Sequence, residues 1–226
     1  MALSNSPLPL GESQRESTLV GAIHELPLQS TPADARLGEV LEADTYALLA
    51  ECYALGQPPP LGSLVRCKAG PLDLYGVVYH AETASAVPGR TPVALGRNAA
   101  SEEDVHRDQP QLTALLRTTF QARLIAHRQG TTTHPFLPPQ PPFVHSFVYA
   151  CTAEEVALTT ERLDYLSLLL TTPETSSPEE VVAAFLRQAT AVHPEPQALL
   201  ARASRVLARL LGQDLPRLSA ILARLG

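Results

Sequence analysis

The chain has 226 residues, of which 45% are hydrophobic and 18% are charged, and its formal net charge is −6. This length fits one medium domain or two small ones, and the hydrophobic fraction can supply a buried core. The acidic balance argues against a protein that coats nucleic acid through charge alone. The sequence contains no run of about 18 apolar residues, so we expect no membrane-spanning helix.

The amino-terminal segment, residues 1–17, is polar and contains proline and glycine, which predicts a flexible tail. It lacks the basic start and apolar centre of a signal peptide, so we expect a cytoplasmic protein. Short apolar segments then predict strands at TLVGAIHEL (18–26), SLVRCKA (63–69) and LDLYGVVYHAE (72–82). The segment DTYALLAECYAL (44–55) fits a helix or a strand by periodicity alone, and its Thr and Tyr, with the neighbouring strands, favour a strand. Gly76, inside the fourth strand, indicates a bulge or a barrel corner.

The middle of the chain mixes helix and strand patterns. Ser101 and the three acids after it predict a helix start, because serine caps a first turn and acids favour the positive end of the helix dipole. A second short helix is predicted for residues 111–119. Strands are predicted for residues 120–128 and 143–152, on either side of a Pro-rich loop.

The last third of the chain has helical patterns. Thr152 and Glu155 have the spacing of a capping box at the first of them. Helices are predicted for residues 152–170, 176–192, 195–212 and 215–226. The predicted fold class is therefore α+β, with a small β-rich domain over residues 18–152 followed by an α-helical bundle over residues 153–226.

The single lysine, Lys68, limits the chemistry that the chain can perform. A nucleotide-hydrolysing P-loop needs the pattern GxxxxGK[ST], and Lys68 follows a cysteine instead of the required glycine. The sequence also lacks the GxSxG, HExxH and GxGxxG motifs. We therefore expect a protein that is not an enzyme and binds no cofactor.

The cysteines and histidines give no clear metal pattern. The cysteines are far apart in apolar segments, which predicts buried thiols: Cys52, Cys67 and Cys151. Three histidines flank the Pro-rich loop and could meet in space: His127, His134 and His145. No carboxylate or thiolate lies among them at ligand spacing, so surface or packed histidines are favoured over a metal site.

The strongest charge feature lies within residues 199–226, which contain five arginines and one acid. Spacings of three and four place the first three arginines on one helix face, opposite a leucine-rich face. One interpretation is an amphipathic helix with a solvated basic face. The other is a docking face for an acidic partner or a phosphate backbone. The five residues are Arg202, Arg205, Arg209, Arg217 and Arg224.

The β-rich segment resembles a known family in the order of its motifs. VGAI and PLGSLVRC are followed by LYGVVYHAET, an acidic helix, PQLTALL and FQARLIAHR, and PPQPPFVHSFVYAC closes the segment. This order is similar to the HAS-barrel, a small β-barrel shared by HerA-type DNA-translocating ATPases and the rotary ATP-synthase subunits. The resemblance places two neighbouring barrel strands at Gly62, Val65, Gly76, Val77 and Val78.

The resemblance implies a role in ring assembly and partner docking. HerA-like proteins continue into a RecA-like ATPase, whereas this chain continues into helices without a Walker motif, so no catalytic residue carries over. We therefore expect a non-enzymatic interaction module. It would dock to a protein partner, such as a HerA-like ATPase or a nuclease in DNA processing or repair, or would self-associate.

The alternative function is nucleic-acid binding on one face of the barrel. The candidate contacts are Arg66, Lys68, Tyr75 and Tyr79, together with the carboxy-terminal arginines. Arg66 and Lys68 are also the expected barrel contacts of a protein partner.

A third hypothesis is an enzyme with an unfamiliar site near the end of the fourth strand. Its groups would be His80, Glu82 and the acids at 102–104, but no nucleophile with a base and an orienting group can be assembled from them.

Overall fold

A computed structural model describes residues 34–109, 111–171 and 177–225, and the elements below all lie within these ranges. The strands are β1 (Arg36–Ala43), β2 (Ala47–Cys52), β3 (Leu64–Ala69), β4 (Leu72–Ser85), β5 (Leu116–Gln129), β6 (Thr132–His134) and β7 (Phe147–Ala150). The α-helices are α1 (Glu102–Asp108), α2 (Leu112–Leu115), α3 (Ala153–Thr160), α4 (Leu166–Leu169), α5 (Pro178–Val192), α6 (Pro196–Leu211) and α7 (Leu215–Leu222).

Six strands close into an antiparallel barrel. Their hydrogen-bonded order is β2-β1-β7-β3-β4-β5, and β5 returns to pair with β2 along residues 119–123. The short strand β6 pairs with the other end of β5. Closure gives the backbone groups of the six strands partners on both sides, which an open sheet cannot do at its edges. The predicted α+β class, with a barrel followed by helices, is confirmed.

The barrel interior is filled by apolar side chains from alternate positions along each strand. Phe120, Leu74 and Leu124 are the largest of these and are completely buried. The pairing of β4 with β5 shifts register next to Gly76, because Gly76 lies opposite Leu124 while the preceding Tyr75 lies opposite Ala126. The predicted irregularity at Gly76 is therefore a bulge in this ladder.

The Pro-rich loop between β6 and β7 lies over the hairpin that joins β3 to β4. Pro138 and Pro142 are buried in this loop. The Gln140 side-chain amide donates a hydrogen bond to the Ala69 carbonyl at 3.2 Å, and the Ser146 hydroxyl donates to the Lys68 carbonyl at 3.3 Å. The predicted Pro-rich loop is therefore fixed to one end of the barrel by its buried prolines and by these two hydrogen bonds.

Helices α3 to α7, which we call the helical layer, cover the outer surface of β3 and β4. Helix α5 contacts both strands and also α3, α4, α6 and α7. Tyr75, Val77 and Tyr79 project from β4 and belong to the same buried cluster as Phe185 and Leu186 of α5. The helices and the outer surface of the barrel therefore share one apolar core, and α5 lies at its centre.

The barrel and α5 approach each other closely at Gly62, in the turn before β3. This residue has φ +80°, and its N–H donates to the Val78 carbonyl at 2.8 Å. A Cβ atom at position 62 would lie 2.3 Å from the carbonyl carbon of Ala184 and 2.3 Å from the nitrogen of Phe185. Both the backbone angle and the space therefore require glycine here.

Three predicted elements are wrong in their length. The strand predicted for 143–152 is reduced to β7, because the preceding residues form a turn in which His145 has φ +66°. The helix predicted for 111–119 ends at Leu115, because the next residues already pair with β4.

The helix predicted for 152–170 is also wrong in its length, because it is divided into α3 and α4. The break is fixed by the Tyr165 hydroxyl, which donates a hydrogen bond to the Thr159 carbonyl at 3.1 Å near the end of α3.

One barrel strand was not predicted, and some predictions lie outside the described residues. Strand β1 begins at Arg36, in a segment for which no element was predicted. The tail over residues 1–17 and the strand over residues 18–26 lie outside the described ranges. The boundary between two domains at residue 152 stays a prediction.

Candidate partner-binding surface

The outer surface of β1 and β7 leaves large aromatic side chains exposed. Phe147 is 43% exposed, and Tyr53, directly after β2, is 51% exposed. The Arg36 guanidinium lies between them, with Cζ 5.0 Å from the Tyr53 ring centroid and 4.8 Å from the Phe147 centroid. Exposed aromatic rings beside an arginine are typical of interaction sites. We call Arg36, Glu39, Glu51, Tyr53 and Phe147 the aromatic–acidic face.

Two glutamates of this face lie directly opposite each other on neighbouring strands. Glu39 of β1 faces Glu51 of β2 in the antiparallel ladder. Glu39 accepts a hydrogen bond from the Tyr53 hydroxyl at 3.3 Å, and its other oxygen lies 3.0 Å from Nδ1 of His145. Among the residues that the structure describes, Glu51 has no basic partner. The two carboxylates therefore concentrate negative charge at this point of the sheet. Like charges placed opposite each other on neighbouring strands destabilise a sheet.

The turn before β7 carries two further exposed apolar side chains, a few residues before Phe147 in the chain. Phe143 is 68% exposed and Val144 is 55% exposed. Two backbone hydrogen bonds hold this turn against β1, from the His145 N–H to the Val40 carbonyl at 2.8 Å and from the Val40 N–H to the Ser146 carbonyl at 2.9 Å. The exposed Phe143 and Val144 side chains therefore belong to a turn whose backbone is hydrogen-bonded to the barrel.

The two predicted barrel contacts have different surroundings. Arg66 is only 20% exposed; it binds Asp34 at 2.6 Å and Glu155 at 3.1 Å. Glu155 is buried and also accepts a hydrogen bond from the Thr152 backbone in the predicted capping box. Arg66 therefore joins the barrel to α3. Lys68 is 72% exposed, and it is the more accessible residue of this pair.

The five carboxy-terminal arginines do not form one free basic face. Three of them pair with acids of other helices or turns: Arg217 with Glu179, Arg224 with Glu180, and Arg209 with Asp164. Burial raises the pKa of the Glu179 carboxyl, but the hydrogen bond and charge of Arg217, together with hydrogen bonds from the Glu179 backbone and from Ser177, outweigh it, and the pKa is lowered. Arg205 is exposed and donates to the Ala201 carbonyl, while Arg202 is partly buried. Ion pairs within the helical layer therefore neutralise part of this positive charge.

The remaining candidate residues lie apart from the aromatic–acidic face. Tyr75 and Tyr79, proposed as stacking residues for nucleic acid, are 1% and 4% exposed beneath the helices. His80 and Glu82 lie on β4, and Glu82 is exposed. The side chains of the acids at 102 and 103 lie outside the described residues, and that of Asp104 pairs with Arg107.

The cysteines have the surroundings expected of buried thiols. Cys52 and Cys67 are buried inside the barrel, and Cys151 is partly buried after β7; all three are free. Burial, followed by the charge of Glu51, raises the pKa of the Cys52 thiol to about 11. Burial, followed by the charge of Asp73, raises the pKa of the Cys67 thiol to about 12. Burial also raises the pKa of the Cys151 thiol.

We expect the native protein to react slowly with a thiol reagent such as DTNB at about pH 8, because only the thiolate is nucleophilic. All three cysteines should react rapidly once the chain is unfolded in guanidinium chloride. The time course of absorbance with and without denaturant measures this. Rapid reaction of one equivalent in the native state would show that a thiol is accessible and activated.

The three histidines proposed to meet in space do not come together. His127 and His134 stack with ring centroids 4.9 Å apart, whereas His145 lies near Glu39. Burial lowers the pKa of His127, although a hydrogen bond to the Phe136 carbonyl opposes this effect. Within the described ranges, no group of three or more histidine, cysteine or acidic side chains could hold a metal ion.

The fold and its exposed surface define a β-barrel protein with a helical layer on one part of the barrel. In the part of the chain that the structure describes, no helix combines the length and hydropathy needed to cross a membrane. In comparisons with known proteins, no family model matches this chain, and no curated protein matches it either.

Sequence reasoning missed the residues of the aromatic–acidic face. The segment RLGEVLEA, which forms β1, has a signal that could have found them. Gly38 and Val40 are buried and Glu39 between them is less so, which is the period of a half-buried strand. Arg36 has the same parity as Gly38, and it is the register shift between these two residues that removes it from this alternation. The exposure of Tyr53 and Phe147 could not be predicted in this way, because each lies within an apolar segment in which neighbouring residues are apolar as well.

Proposed function

We propose that this chain is a non-enzymatic interaction and assembly module that docks to a protein partner through the aromatic–acidic face. The observation that carries the proposal is the exposure of Tyr53 and Phe147 on either side of Arg36, on the outer surface of the closed barrel. Aromatic residues and arginine contribute most of the binding energy at many protein interfaces. The proposed partner is a HerA-like ATPase or a nuclease of DNA processing, and the proposed compartment is the cytoplasm.

The rigid backbone of the described surface also supports this proposal. The aromatic side chains lie on strands and on a turn fixed by hydrogen bonds, so little conformational entropy would be lost on binding. The resemblance to the HAS-barrel is itself a proposal, and the six-stranded closed barrel supports it only as an architecture of the same kind.

The double variant Tyr53→Ser/Phe147→Ser should lose most partner binding, because it removes two exposed rings from the centre of the surface. Chemical crosslinking in the native cells, followed by purification and mass spectrometry, measures the partner that is captured. Size-exclusion chromatography with light scattering measures self-association of the purified chain. We expect the variant to keep its far-ultraviolet circular dichroism spectrum, since both rings are largely exposed.

A matched control is the double variant Val93→Ser/Leu215→Ser, which removes two apolar side chains that are 77% and 63% exposed elsewhere. It should retain every crosslink that the unmodified chain forms. A chain that stays a lone monomer without crosslinks under all conditions would overturn the proposed function. Equal loss in both double variants would show that the aromatic–acidic face is not the docking site.

Nucleic-acid binding stays the second candidate, because Arg36 stacked on two exposed rings is also compatible with base stacking. The burial of Tyr75 and Tyr79 removes two of the contacts on which this candidate was based. The glutamates beside Arg36 would repel a phosphate backbone. A salt-dependent titration with single-stranded DNA tests it, and absence of affinity at low salt excludes it.

A further inference from the structure

We infer that the occupant of the aromatic–acidic face is a basic protein segment, whose arginine or lysine side chains reach Glu39 and Glu51 and stack against the exposed rings. This inference rests on the proposed function and adds the chemistry of the partner. It is carried by the charge of the face together with the geometry of its aromatic residues.

The paired glutamates give the face an unmet need for a cation. Glu39 and Glu51 are direct cross-strand neighbours, a placement that destabilises the free sheet. A cation between them would remove the repulsion and bind both carboxylates. A guanidinium group can do this with paired hydrogen bonds, because its donors form a planar fork that matches carboxylate oxygens. The complex would therefore be stabilised where the free protein is strained.

The exposed aromatic rings also favour a cation. Arg36 already lies 5.0 Å from the Tyr53 centroid and 4.8 Å from the Phe147 centroid, which shows that a guanidinium fits against these rings at this position. Both rings remain about half exposed after this contact. An exposed ring face next to a carboxylate attracts a further cation by its quadrupole and by charge. The rings and the glutamates thus select the same kind of side chain.

The same observations weigh against the other occupants. A second copy that placed its own aromatic–acidic face on this one would bring four glutamates together across the twofold axis. A nucleic acid would place phosphates next to Glu39 and Glu51. A purely apolar partner would bury these carboxylates without a cation, which is costly. A basic segment is the occupant that pairs with both carboxylates of the face, and the rings already hold the Arg36 guanidinium.

Fluorescence anisotropy with a labelled peptide of repeated Arg-Gly-Leu units tests the inference, at salt concentrations from about 50 to 300 mM. We expect the unmodified chain to bind this peptide and to bind the matching Glu-Gly-Leu peptide at least about tenfold more weakly. The double variant Glu39→Gln/Glu51→Gln should lose about tenfold or more in affinity for the arginine peptide. Glutamine keeps the acceptor for the Tyr53 hydroxyl, so the fold should persist.

The control variant Glu161→Gln/Glu195→Gln changes the net charge by the same amount at exposed positions on the helical layer. It should bind the arginine peptide within about twofold of the unmodified chain, because screening weakens distant charges. Equal losses in the two variants would reduce the binding to general charge attraction and overturn the inference. Absence of binding to the arginine peptide, or equal binding of the glutamate peptide or of single-stranded DNA, would also overturn it.

The two proposals fail in distinguishable ways. If Tyr53→Ser/Phe147→Ser abolishes partner crosslinks while Glu39→Gln/Glu51→Gln leaves them intact, the interaction module stands and the basic partner is wrong. If the crosslinking experiment finds no partner and no self-association, the proposed function itself is wrong.

Discussion

Replacing Gly62 with alanine should destabilise the protein by about 3 kcal/mol or more, which is near the upper end for a single substitution. The added methyl group would lie 2.3 Å from two backbone atoms of α5, the carbonyl carbon of Ala184 and the nitrogen of Phe185. A helix backbone cannot move aside as a flexible side chain can. The substitution should therefore separate α5 from the barrel and open the core that they share.

Gly56→Ala is the matched control for this prediction. Gly56 also has a positive φ, +74°, but its added Cβ would meet no atom within 4 Å. It should therefore show only the backbone cost of the left-handed conformation, about 1–2 kcal/mol. Urea unfolding followed by circular dichroism measures both variants. Equal losses of stability would show that the backbone angle, and not the contact with α5, requires glycine at position 62.

Replacing Arg66 with methionine should cost about 3 kcal/mol at neutral pH, because it leaves Glu155 as a buried carboxylate without its cation. Glu155→Gln should cost less, since glutamine can still accept the capping hydrogen bond from Thr152 and Arg66 keeps Asp34. The double variant should be less destabilised than the sum of the two single variants. Thermal or urea unfolding of the three variants measures this coupling.

Lys68→Met provides the control on the same strand. Lys68 is 72% exposed and its nitrogen lies 3.7 Å from Asp73, so its loss should change stability by about 0.5 kcal/mol or less. Additive effects of the Arg66 and Glu155 substitutions would show that the two side chains do not interact in solution. The proposed attachment of α3 to the barrel would then have to rest on apolar packing alone.

The sequence predicted the parts of the fold that depend on local pattern. The strands around SLVRCKA and LDLYGVVYHAE were predictable because apolar and polar residues alternate and because a Gly-Pro pair turns the chain between them. The capping box at Thr152 was predictable for the same reason, since its two residues are three apart. These signals are complete within about ten residues.

The remaining features depend on contacts between distant segments. Residues 116–119 continue β5 instead of α2 because β4 offers them hydrogen-bond partners, and no local pattern reports that. Arg66 was predicted to contact a partner, but a helix about 90 residues later supplies Glu155 beside it. The aromatic–acidic face was missed because it joins the consecutive strands β1 and β2 to β7, which lies far from them in the sequence.

The closure of the barrel has a consequence for folding during synthesis. Strand β1 pairs with β7, and β2 pairs with β5, so the pairing of residues 36–52 within the barrel is complete only after residues 116–150 have been synthesised. At about 5–20 residues per second, this wait lasts roughly 5–20 seconds. Until then the hairpin of β1 and β2 has no barrel to enclose Val40 and Leu48, so these apolar side chains stay exposed on the nascent chain. Ring closure, with its large sequence separation, should then set the folding rate.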